Sequence, residues 1–263
     1  MKLFKKLLIT IFIFSLVISP AKQNSEEPIL RVLSYNIFHG ATMKGDFDLD
    51  LIASVIKNQN PDLVALQEVD YKTKRSQRMD LALELAKRTD MIPLFGKAMD
   101  VHGGEYGEAL LSKYTFKKTE NHALPYTKGK EPRAALQAIM ELQDGSKISI
   151  IGTHLDHTGD EKNRIMQARA VNKIVENCDM PTILAGDLNA EPKSKPIEIL
   201  KEKWTRAFEK DLPTYPSDNP THKIDYIMYR PQQDWKVINS KVIDEKVASD
   251  HCPILVELKL LND

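Results

Sequence analysis

Apolar residues follow two alternating patterns along the chain. Near-continuous apolar runs of strand length, such as Ile29–Asn36 and Asp62–Gln67, are typical of buried strands. Between these runs, apolar residues recur at helical spacing across Ile52–Ile56, and Asp48 or Asp50 is placed to cap that helix. A strand–helix–strand order of this kind favours an α/β layered domain.

The same patterns continue to the end of the chain. Helices are predicted over Met79–Arg88 and Asp160–Asn177, and Asp144-Gly145 is a hairpin signal. The inner face of the second helix is predicted to carry Ile165, Ala168, Val171 and Ile174. Segments rich in turn-forming and charged residues, including 39–47, 100–107 and 190–196, are predicted as loops. The remaining strands are predicted at Pro93–Met99, Ala109–Ser112, Thr115–His122, Ala134–Leu142, Lys147–His154, Thr182–Ala185, Ile224–Tyr229, Val237–Val242 and Ile254–Leu258.

The first 21 residues have the features of a secretory signal peptide. Three lysines precede an apolar run from Leu7 to Ile18, and small residues follow it at Ser19 and Ala21. This pattern predicts a signal peptide at 1–21, a polar spacer at 22–28 and a folded domain at 29–263. The protein is therefore expected to be secreted or periplasmic. An uncleaved membrane anchor is the alternative, although the run is short for a bilayer span.

Composition and charge narrow the class of partner. The chain has 263 residues, 42% hydrophobic and 28% charged, which suits one large globular domain. Without residues 1–21, the 37 basic residues become 34 against 37 acidic ones, a net charge of −3. A nucleic acid is thus a less favoured partner, and no partner protein is implied. Cys178 and Cys252 lie in segments predicted to be buried, so free thiols are expected.

Polar side chains stand where several predicted strands end. Asn36 and Glu68 each follow an apolar strand, and Asp187 and Asn189 follow another. Strand alternation predicts that Asp187 and Asn189 share one side of the chain. Loops around polar strand ends are how layered α/β enzymes build sites. Any one of these residues alone could equally be a solvated or turn-forming residue.

Acids and imidazoles recur in the second half of the chain. Asp225 lies in an otherwise apolar strand, and a buried carboxylate needs a partner such as an imidazole. Asp250-His251 supplies an imidazole and a further acid just before the last strand, and His154 ends another strand. A His that is oriented by one carboxylate beside another is expected of a general base near a metal.

Residues 152–157 also resemble the His-x-His-x-Asp-His pattern of metallo-β-lactamase-type zinc hydrolases. Gly152 stands where that pattern has its first His, and His154, Asp156 and His157 fill the others. Loss of one ligand weakens the match. A zinc hydrolase is retained as an alternative.

Six short motifs, taken in order, resemble the endonuclease/exonuclease/phosphatase superfamily of metal-dependent hydrolases. They are Ser34-Tyr-Asn36, Leu66-Gln-Glu68, Thr153-His154, Gly186-Asp187-Leu-Asn189, Ile224-Asp225-Tyr and Ser249-Asp250-His251. The resemblance covers essentially all of residues 29–260. It implies a four-layer α/β sandwich of two packed mixed β-sheets flanked by helices.

The resemblance also implies a Mg²⁺ or Mn²⁺ site. Glu68 resembles the principal metal ligand, and Asn36 and Asp250 are implied close to the metal. Hard cations of this kind prefer carboxylate and amide oxygens.

Catalytic roles follow from the same resemblance. Asp187 and Asn189 resemble the groups that orient the attacking water and hold phosphoryl oxygens. His251 resembles the catalytic imidazole paired with Asp225, and His154 resembles the second imidazole, on the leaving-group side.

Substrate contacts are predicted at four further positions: Arg133, His39, His157 and Tyr106. His102 and Tyr106 lie in the segment 100–107, which is predicted as a Gly-rich loop that could act as a lid. Arg164 and Arg169 could also meet a substrate phosphate, although a solvated helix face would explain them equally well.

These observations together predict an exported, divalent-metal-dependent phosphodiesterase. A lipid-linked or small phosphodiester is the expected substrate, such as a phospholipid head group at a membrane surface. A secreted nuclease of the same fold and a noncatalytic metal- or lipid-binding module are the alternatives.

Overall fold

The computed structural model of the protein describes residues 29–261. The predicted signal peptide (1–21) and spacer (22–28) lie outside the described residues. Across residues 29–261, none of the helices combines the length and apolar character needed to span a bilayer.

The described residues form twelve strands and four α-helices. The strands are β1 (Ile29–Asn36), β2 (Leu63–Tyr71), β3 (Ile92–Val101), β4 (Gly104–Ser112), β5 (Phe116–Leu124), β6 (Arg133–Glu141), β7 (Lys147–His154), β8 (Thr182–Asp187), β9 (Thr205–Arg206), β10 (Asp225–Arg230), β11 (Trp235–Val242) and β12 (Ile254–Leu260). The helices are α1 (Leu49–Gln59), α2 (Leu81–Thr89), α3 (Lys162–Ile174) and α4 (Lys195–Leu200).

The strands form two mixed sheets of six strands each in this part of the chain. One sheet has the order β11-β12-β1-β2-β4-β3, and the other has the order β5-β6-β7-β8-β10-β9. Their facing sides pack apolar residues such as Val32, Leu110, Leu136 and Ile183 into one core. Two outer cores join α1 and α2 to the first sheet and α3 and α4 to the second. The predicted four-layer sandwich is therefore confirmed.

Side-chain caps fix the starts of the first two helices. Asp48 accepts a hydrogen bond from the backbone N–H of Leu51, so Asp48 rather than Asp50 is the cap of α1. Asp80 caps α2 in the same way, and this helix begins two residues later than predicted.

The buried face of α3 differs from the prediction. Ile165 and Ile174 are only partly buried, whereas polar residues such as Asn163, Gln167 and Asn172 are buried. Asn163 and Gln167 accept from backbone N–H groups of neighbouring loops, and Asn172 donates to the Ile199 carbonyl of α4 and accepts from the indole N–H of Trp204. Hydrogen-bond demand therefore overrides the apolar periodicity on this face.

The two arginines of α3 have structural rather than cavity positions. Arg164 is buried, and its Nη1 donates to the carbonyl of Asp156 at 2.9 Å. Arg169 is exposed on the outer face. Neither lines the cavity described below.

The prediction of a loop at 100–107 was wrong. β3 and β4 are joined by a tight turn at His102 and Gly103, where both residues have positive φ values of 48° and 73°. Two consecutive positive φ values match the twist of a hairpin. Tyr106 therefore lies inside β4, and the segment is not a lid. The short elements α4 and β9 were also missed.

Two local predictions are confirmed. Asp144 and Gly145 form the turn between β6 and β7, in which Asp144 accepts from the N–H of Ser146 at 3.0 Å. Cys178 and Cys252 are free thiols. Cys252 is buried and Cys178 is partly exposed.

Candidate active site

Strand register places three site residues side by side in the second sheet. β7 and β8 are parallel with His154 paired to Asp187, and β8 and β10 are antiparallel with Asp187 paired to Asp225. Side chains at paired positions lie on the same face. Asn36 ends β1 in the facing sheet, and its Nδ2 lies 3.3 Å from Asp187 Oδ2. The two sheets thus contribute to one site at this edge of the sandwich.

A cavity of about 490 Å³ opens at this edge. Six of the predicted catalytic and metal residues line it: Glu68, His154, Asp187, Asn189, Asp250 and His251. Asn36 and Asp225 lie directly behind this lining and contact Glu68 and His251, respectively. All eight predicted residues therefore come together in the structure.

Glu68 lies inside β2 rather than at its end. The pairing of β2 with β4 shifts register between Leu66 and Val69, and Glu68 has a φ of 59°. This bulge directs the carboxylate into the cavity. Burial opposes ionisation, yet hydrogen bonds from His39 and Asn36 lower the pKa of Glu68. Glu68 is therefore held as a carboxylate.

His39 supports Glu68 from behind. Its Nδ1 lies 3.3 Å from Glu68 Oε2, and the ring is not part of the cavity lining. Phe38, His39 and Gly40 all have positive φ values. Non-glycine residues rarely adopt this conformation, and such strain concentrates at functional sites. The substrate contact predicted for His39 stays a prediction.

Asp187 is the central carboxylate of the site. Its Oδ2 lies 3.3 Å from His154 Nε2 and 3.7 Å from His251 Nε2. Burial raises the pKa of Asp187 to about 7, although the adjacent His251 ring opposes this shift. Asp187 thus lies between both imidazoles and beside the amide of Asn36.

His251 and Asp225 form a buried pair. His251 Nδ1 lies 3.0 Å from Asp225 Oδ2, so Nε2 faces Asp187 and the cavity. Burial disfavours the charged ring, but the carboxylates of Asp225 and Asp187 raise the pKa of His251 to about 10. The two carboxylates therefore favour the charged, hydrogen-bond-donating form of His251.

His154 has the opposite protonation state. Its Nδ1 accepts from Arg133 Nη1 at 3.2 Å and lies 3.4 Å from the hydroxyl of Tyr106. The Nε2 nitrogen faces the other way, 2.9 Å from Asn189 Nδ2 and 3.3 Å from Asp187 Oδ2. Burial, followed by the charge of Arg133, lowers the pKa of His154 well below its usual value. Two imidazoles whose environments drive their pKa values apart take different roles.

Asn189 reaches the cavity through a turn. β8 ends at Asp187, and Asn189 has a φ of 47° while its backbone N–H donates to Asp187 Oδ1 at 2.9 Å. The side-chain amide donates to the carbonyl of Leu155 at 3.1 Å. The predicted shared volume of Asp187 and Asn189 is present, but the turn, not strand alternation, produces it.

Arg133 occupies the cavity wall with all but one of its nitrogens engaged. Nη1 contacts His154 and Tyr106, and Nη2 contacts His157 Nδ1 and Glu131 Oε2, each at 3.0 Å. The side chain is almost fully buried. Arg133, Tyr106 and His157 line the cavity, and the substrate contacts predicted for them stay predictions. Arg133 holds the imidazoles of His154 and His157.

Asp250 is anchored to the end of β1. Ser249 Oγ donates to the carbonyl of Asn36 at 2.6 Å and lies 3.3 Å from Asp250 Oδ1. The N–H of Ser217 donates to the Asp250 carbonyl at 2.7 Å. Burial raises the pKa of Asp250, while His251 opposes the shift. These contacts hold the carboxylate at the cavity, facing the same space as Glu68.

Three charged residues near the cavity were not predicted. Glu108 in β4 is fully buried beside Arg133, and neither carboxylate oxygen has a hydrogen-bond partner within residues 29–261. Burial, which Arg133 opposes, raises its pKa well above the usual value. Arg75 lines the cavity and is paired with buried Asp70. The position of Glu108 just before the apolar run of Gly104–Ser112 could have indicated a buried carboxylate.

The alternative zinc site is not assembled. Asp156 turns away toward α3 and accepts from Asn163 Nδ2 at 2.9 Å and from the N–H of Thr158 at 2.8 Å. His157 is more than half exposed and contacts Arg133. His154, Asp156 and His157 therefore do not converge on one metal position.

The donor set fits a hard divalent cation. Glu68, Asp187 and Asp250 direct three carboxylates at one cavity, with the amide of Asn36 beside two of them. Burial raises the pKa values of Asp187 and Asp250, which a bound cation would offset. Ligand atoms of Asp187, Asp225 and His251 also lie within 4.8 Å of one another. Because Asp225 and His251 already pair, the oxygen-rich group around Glu68 is the better candidate.

Comparison with known sequences gives a family match over most of the chain. Residues 33–251 match the sequence model of the Endonuclease/Exonuclease/phosphatase family. The uncharacterized protein YbhP of Escherichia coli (strain K12) is 24% identical over 249 residues, covering 88% of this chain and 96% of YbhP.

Solved structures share the fold. The mannosyl-6-phosphatase Bt3783 of Bacteroides thetaiotaomicron VPI-5482 is similar with a TM-score of 0.71 and 20% identity, covering 87% of this chain and 99% of that one. The human Nocturnin catalytic domain is similar with a TM-score of 0.68 and 21% identity, covering 89% and 96%. At these identities the likeness establishes the architecture alone.

Proposed function

The chain belongs to the endonuclease/exonuclease/phosphatase family, whose members hydrolyse phosphoesters, and on that premise we propose that it is an exported, divalent-metal-dependent phosphodiesterase acting on a lipid-linked or small phosphodiester. One observation carries the proposal. Glu68, Asp187, Asn189 and His251 converge on one cavity, with His251 oriented by Asp225.

The residues divide the reaction between them. Asp187 and Asn189 orient the attacking water, because both line the cavity and are joined by a hydrogen bond. Charged His251 donates from Nε2 to a phosphoryl oxygen as negative charge develops there. His154 contacts Asp187 and Asn189 through Nε2 and so helps to hold both side chains in place.

Glu68 and Asp250 would hold Mg²⁺ or Mn²⁺, which would neutralise charge on the phosphate, and Asn36 orients Glu68 by donating to it from Nδ2. The completeness of this constellation weighs against a noncatalytic binding module. All eight positions carry residues that are chemically competent for hydrolysis.

The charge of the chain supports the substrate class. Nuclease affinity comes largely from Lys and Arg that displace counterions from closely spaced phosphates. The chain without residues 1–21 carries a net charge of −3, and the cavity wall includes Met99, Val101 and Tyr215. A compact head group at a membrane surface suits these features better than a long polyanion. No partner protein is required.

A substrate panel tests this proposal. We expect the purified chain with Mg²⁺ to hydrolyse phosphatidylinositol, sphingomyelin or a chromogenic diester faster than duplex DNA at physiological salt. A chelator should abolish the activity. Mannose 6-phosphate belongs in the panel because the Bacteroides relative is named a mannosyl-6-phosphatase.

The His251→Ala variant excludes a contaminant in each assay. Efficient nicking of plasmid DNA at physiological salt, lost in His251→Ala, would contradict the substrate class and favour a secreted nuclease. Absence of metal-dependent turnover on every phosphoester would favour the noncatalytic module instead.

Export is a separate prediction. The apolar run from Leu7 to Ile18 and the small residues after it predict cleavage after Ala21. We expect mass measurement of the protein from its own cell envelope or medium to give a chain beginning at or near Lys22. A cytoplasmic protein beginning at Met1 would contradict export without touching the assignment of the active site.

A further inference from the structure

Arg75 presents a guanidinium to the cavity from outside the catalytic cluster. It lies in the segment between β2 and α2, and about a third of its side chain is exposed. Its Cζ lies 5.6 Å from the ring centroid of Tyr106, another residue of the cavity wall. Nothing in the proposed reaction uses this charge.

A buried carboxylate clamps Arg75 in a fixed orientation. Nε donates to Asp70 Oδ2 at 2.7 Å, and Nη2 donates to Asp70 Oδ1 at 2.8 Å. Asp70 is fully buried and also accepts from the hydroxyl of Thr73. Two parallel hydrogen bonds fix the plane of the guanidinium. Within residues 29–261 nothing accepts from Nη1, which is therefore available to a ligand.

The segment that carries Arg75 is rigidly attached to the β3–β4 hairpin. The N–H of Lys74 donates to the carbonyl of His102 at 3.0 Å, and Arg78 Nη1 donates to the Gly103 carbonyl at 2.7 Å. A Cβ on Gly104 would come within 2.4 Å of the Tyr71 carbonyl, so the two segments touch through a glycine. Met99, Val101 and His102 of the hairpin complete this wall of the cavity.

Arg75 and Arg133 differ in whether a terminal guanidinium nitrogen is available to a ligand. Both guanidiniums lie within 6 Å of the Tyr106 ring centroid, at 5.6 and 5.9 Å. Arg133 is buried and uses both terminal nitrogens on His154, His157, Tyr106 and Glu131. Arg75 is partly exposed, and no group within residues 29–261 accepts from its Nη1. The cationic group offered to a ligand is therefore Arg75.

The cavity has room for more than the scissile phosphate. Its volume of about 490 Å³ lies in the range of pockets that hold whole small-molecule ligands. The scissile phosphate is placed by the cluster around Glu68 and Asp187, whereas Arg75 comes from the wall formed by the two attached segments.

We propose that Arg75, oriented by Asp70, is a specificity-determining residue that binds a second anionic group of the substrate, a carboxylate or phosphate beyond the scissile phosphate. The inference rests on the proposed function, because it takes the scissile phosphate to bind at the Glu68–Asp187 cluster. It narrows the preferred substrate to a phosphodiester whose head group carries one further oxyanion, a group that phosphatidylinositol and sphingomyelin lack.

Calorimetric titration with small product analogues tests this assignment. Ethyl phosphate and phosphoglycolate share a two-carbon skeleton, and only the latter adds a carboxylate; ethylene glycol bisphosphate adds a phosphate instead. With saturating Mg²⁺, we expect the wild-type chain to bind one of the two analogues that carry a second anionic group about tenfold or more tightly than ethyl phosphate. The analogue preferred identifies the second anion as carboxylate or phosphate. Arg75→Gln should remove the preference and leave ethyl phosphate binding unchanged.

Two further variants control for unfolding and for the loss of a nearby positive charge. Arg75→Gln leaves the carboxylate of Asp70 buried without its partner and could unfold the chain. The double variant Asp70→Asn/Arg75→Gln replaces the ion pair by two amides and should show the same loss of preference. Lys74→Gln removes a neighbouring positive charge that does not line the cavity, and it should keep the preference.

The outcomes separate the two proposals. If wild type binds ethyl phosphate but shows no preference, or if Arg75→Gln weakens all three ligands equally, the role of Arg75 is overturned while the phosphate site stands. If wild type binds none of the ligands, the proposed function fails and this inference fails with it.

Discussion

His251→Ala and Asp225→Asn are each expected to lower kcat by about 10²-fold or more, and the double variant should lose little beyond either single change. His251 Nδ1 lies 3.0 Å from Asp225 Oδ2, and this carboxylate favours the charged ring. Removal of the carboxylate lets the ring turn and lose its proton, so both changes remove the same hydrogen-bond donor. Steady-state kinetics on the best substrate of the panel, at saturating Mg²⁺, measure the effect.

Folding must be separated from catalysis in this experiment. Asp225 is buried, so the midpoint of thermal unfolding should be recorded for each variant. His222→Ala is the matched control, because the His222 side chain is more than half exposed and lies outside the cavity lining. It should retain wild-type kcat. If the losses in the double variant multiply, the two residues do not act as a unit.

Strand ends made much of the site predictable. Asn36, His154 and Asp187 each close an apolar strand, and parallel pairing brings the ends of β7 and β8 together. Apolar runs identify such strands because burial on both faces leaves few polar positions. The relation of the two sheets could come only from resemblance, since apolar patterns do not specify which strands are neighbours.

Local backbone irregularities could not be predicted from the sequence. Glu68 points into the cavity because of a bulge, and Asn189 reaches it through a turn with positive φ. Neither conformation has a strong signature in the residue types involved. His102-Gly103 closes a tight hairpin where a loop was predicted, which hid the position of Tyr106 in β4.

Buried polar networks were missed for a related reason. Arg75 lies over the Tyr106 ring, and Glu108 lies beside Arg133. Both partners are distant in sequence, so the sequence does not indicate these contacts. The buried face of α3 shows the same effect, because Asn163 and Gln167 replace the expected apolar contacts. Periodicity reports where apolar groups lie, whereas hydrogen-bond demand depends on the finished fold.

Glu68→Ala is expected to weaken Mg²⁺ or Mn²⁺ binding by roughly 100-fold or more, because even supporting residues of metal sites often cost 10- to 100-fold. Among the three carboxylates Glu68, Asp187 and Asp250, the pKa is lowered only for Glu68: burial opposes ionisation, but hydrogen bonds from His39 and Asn36 outweigh it. It is therefore the carboxylate best prepared to receive a cation.

Titration calorimetry with Mg²⁺ and electron paramagnetic resonance with Mn²⁺ measure this binding directly, without reliance on turnover. Glu68→Gln should behave like Glu68→Ala, because the amide keeps the shape but removes the charge that attracts the cation. Glu105→Gln, on the neighbouring strand β4 and outside the cavity lining, is the control and should bind the metal as wild type does.

If Glu68→Ala retains wild-type affinity, or if the wild-type chain keeps full phosphoesterase activity in excess chelator, Glu68 is not the principal ligand. Metal affinity that persists in Glu68→Ala but falls in Asp187→Asn would move the cation to the group formed by Asp187, Asp225 and His251, whose ligand atoms lie within 4.8 Å of one another.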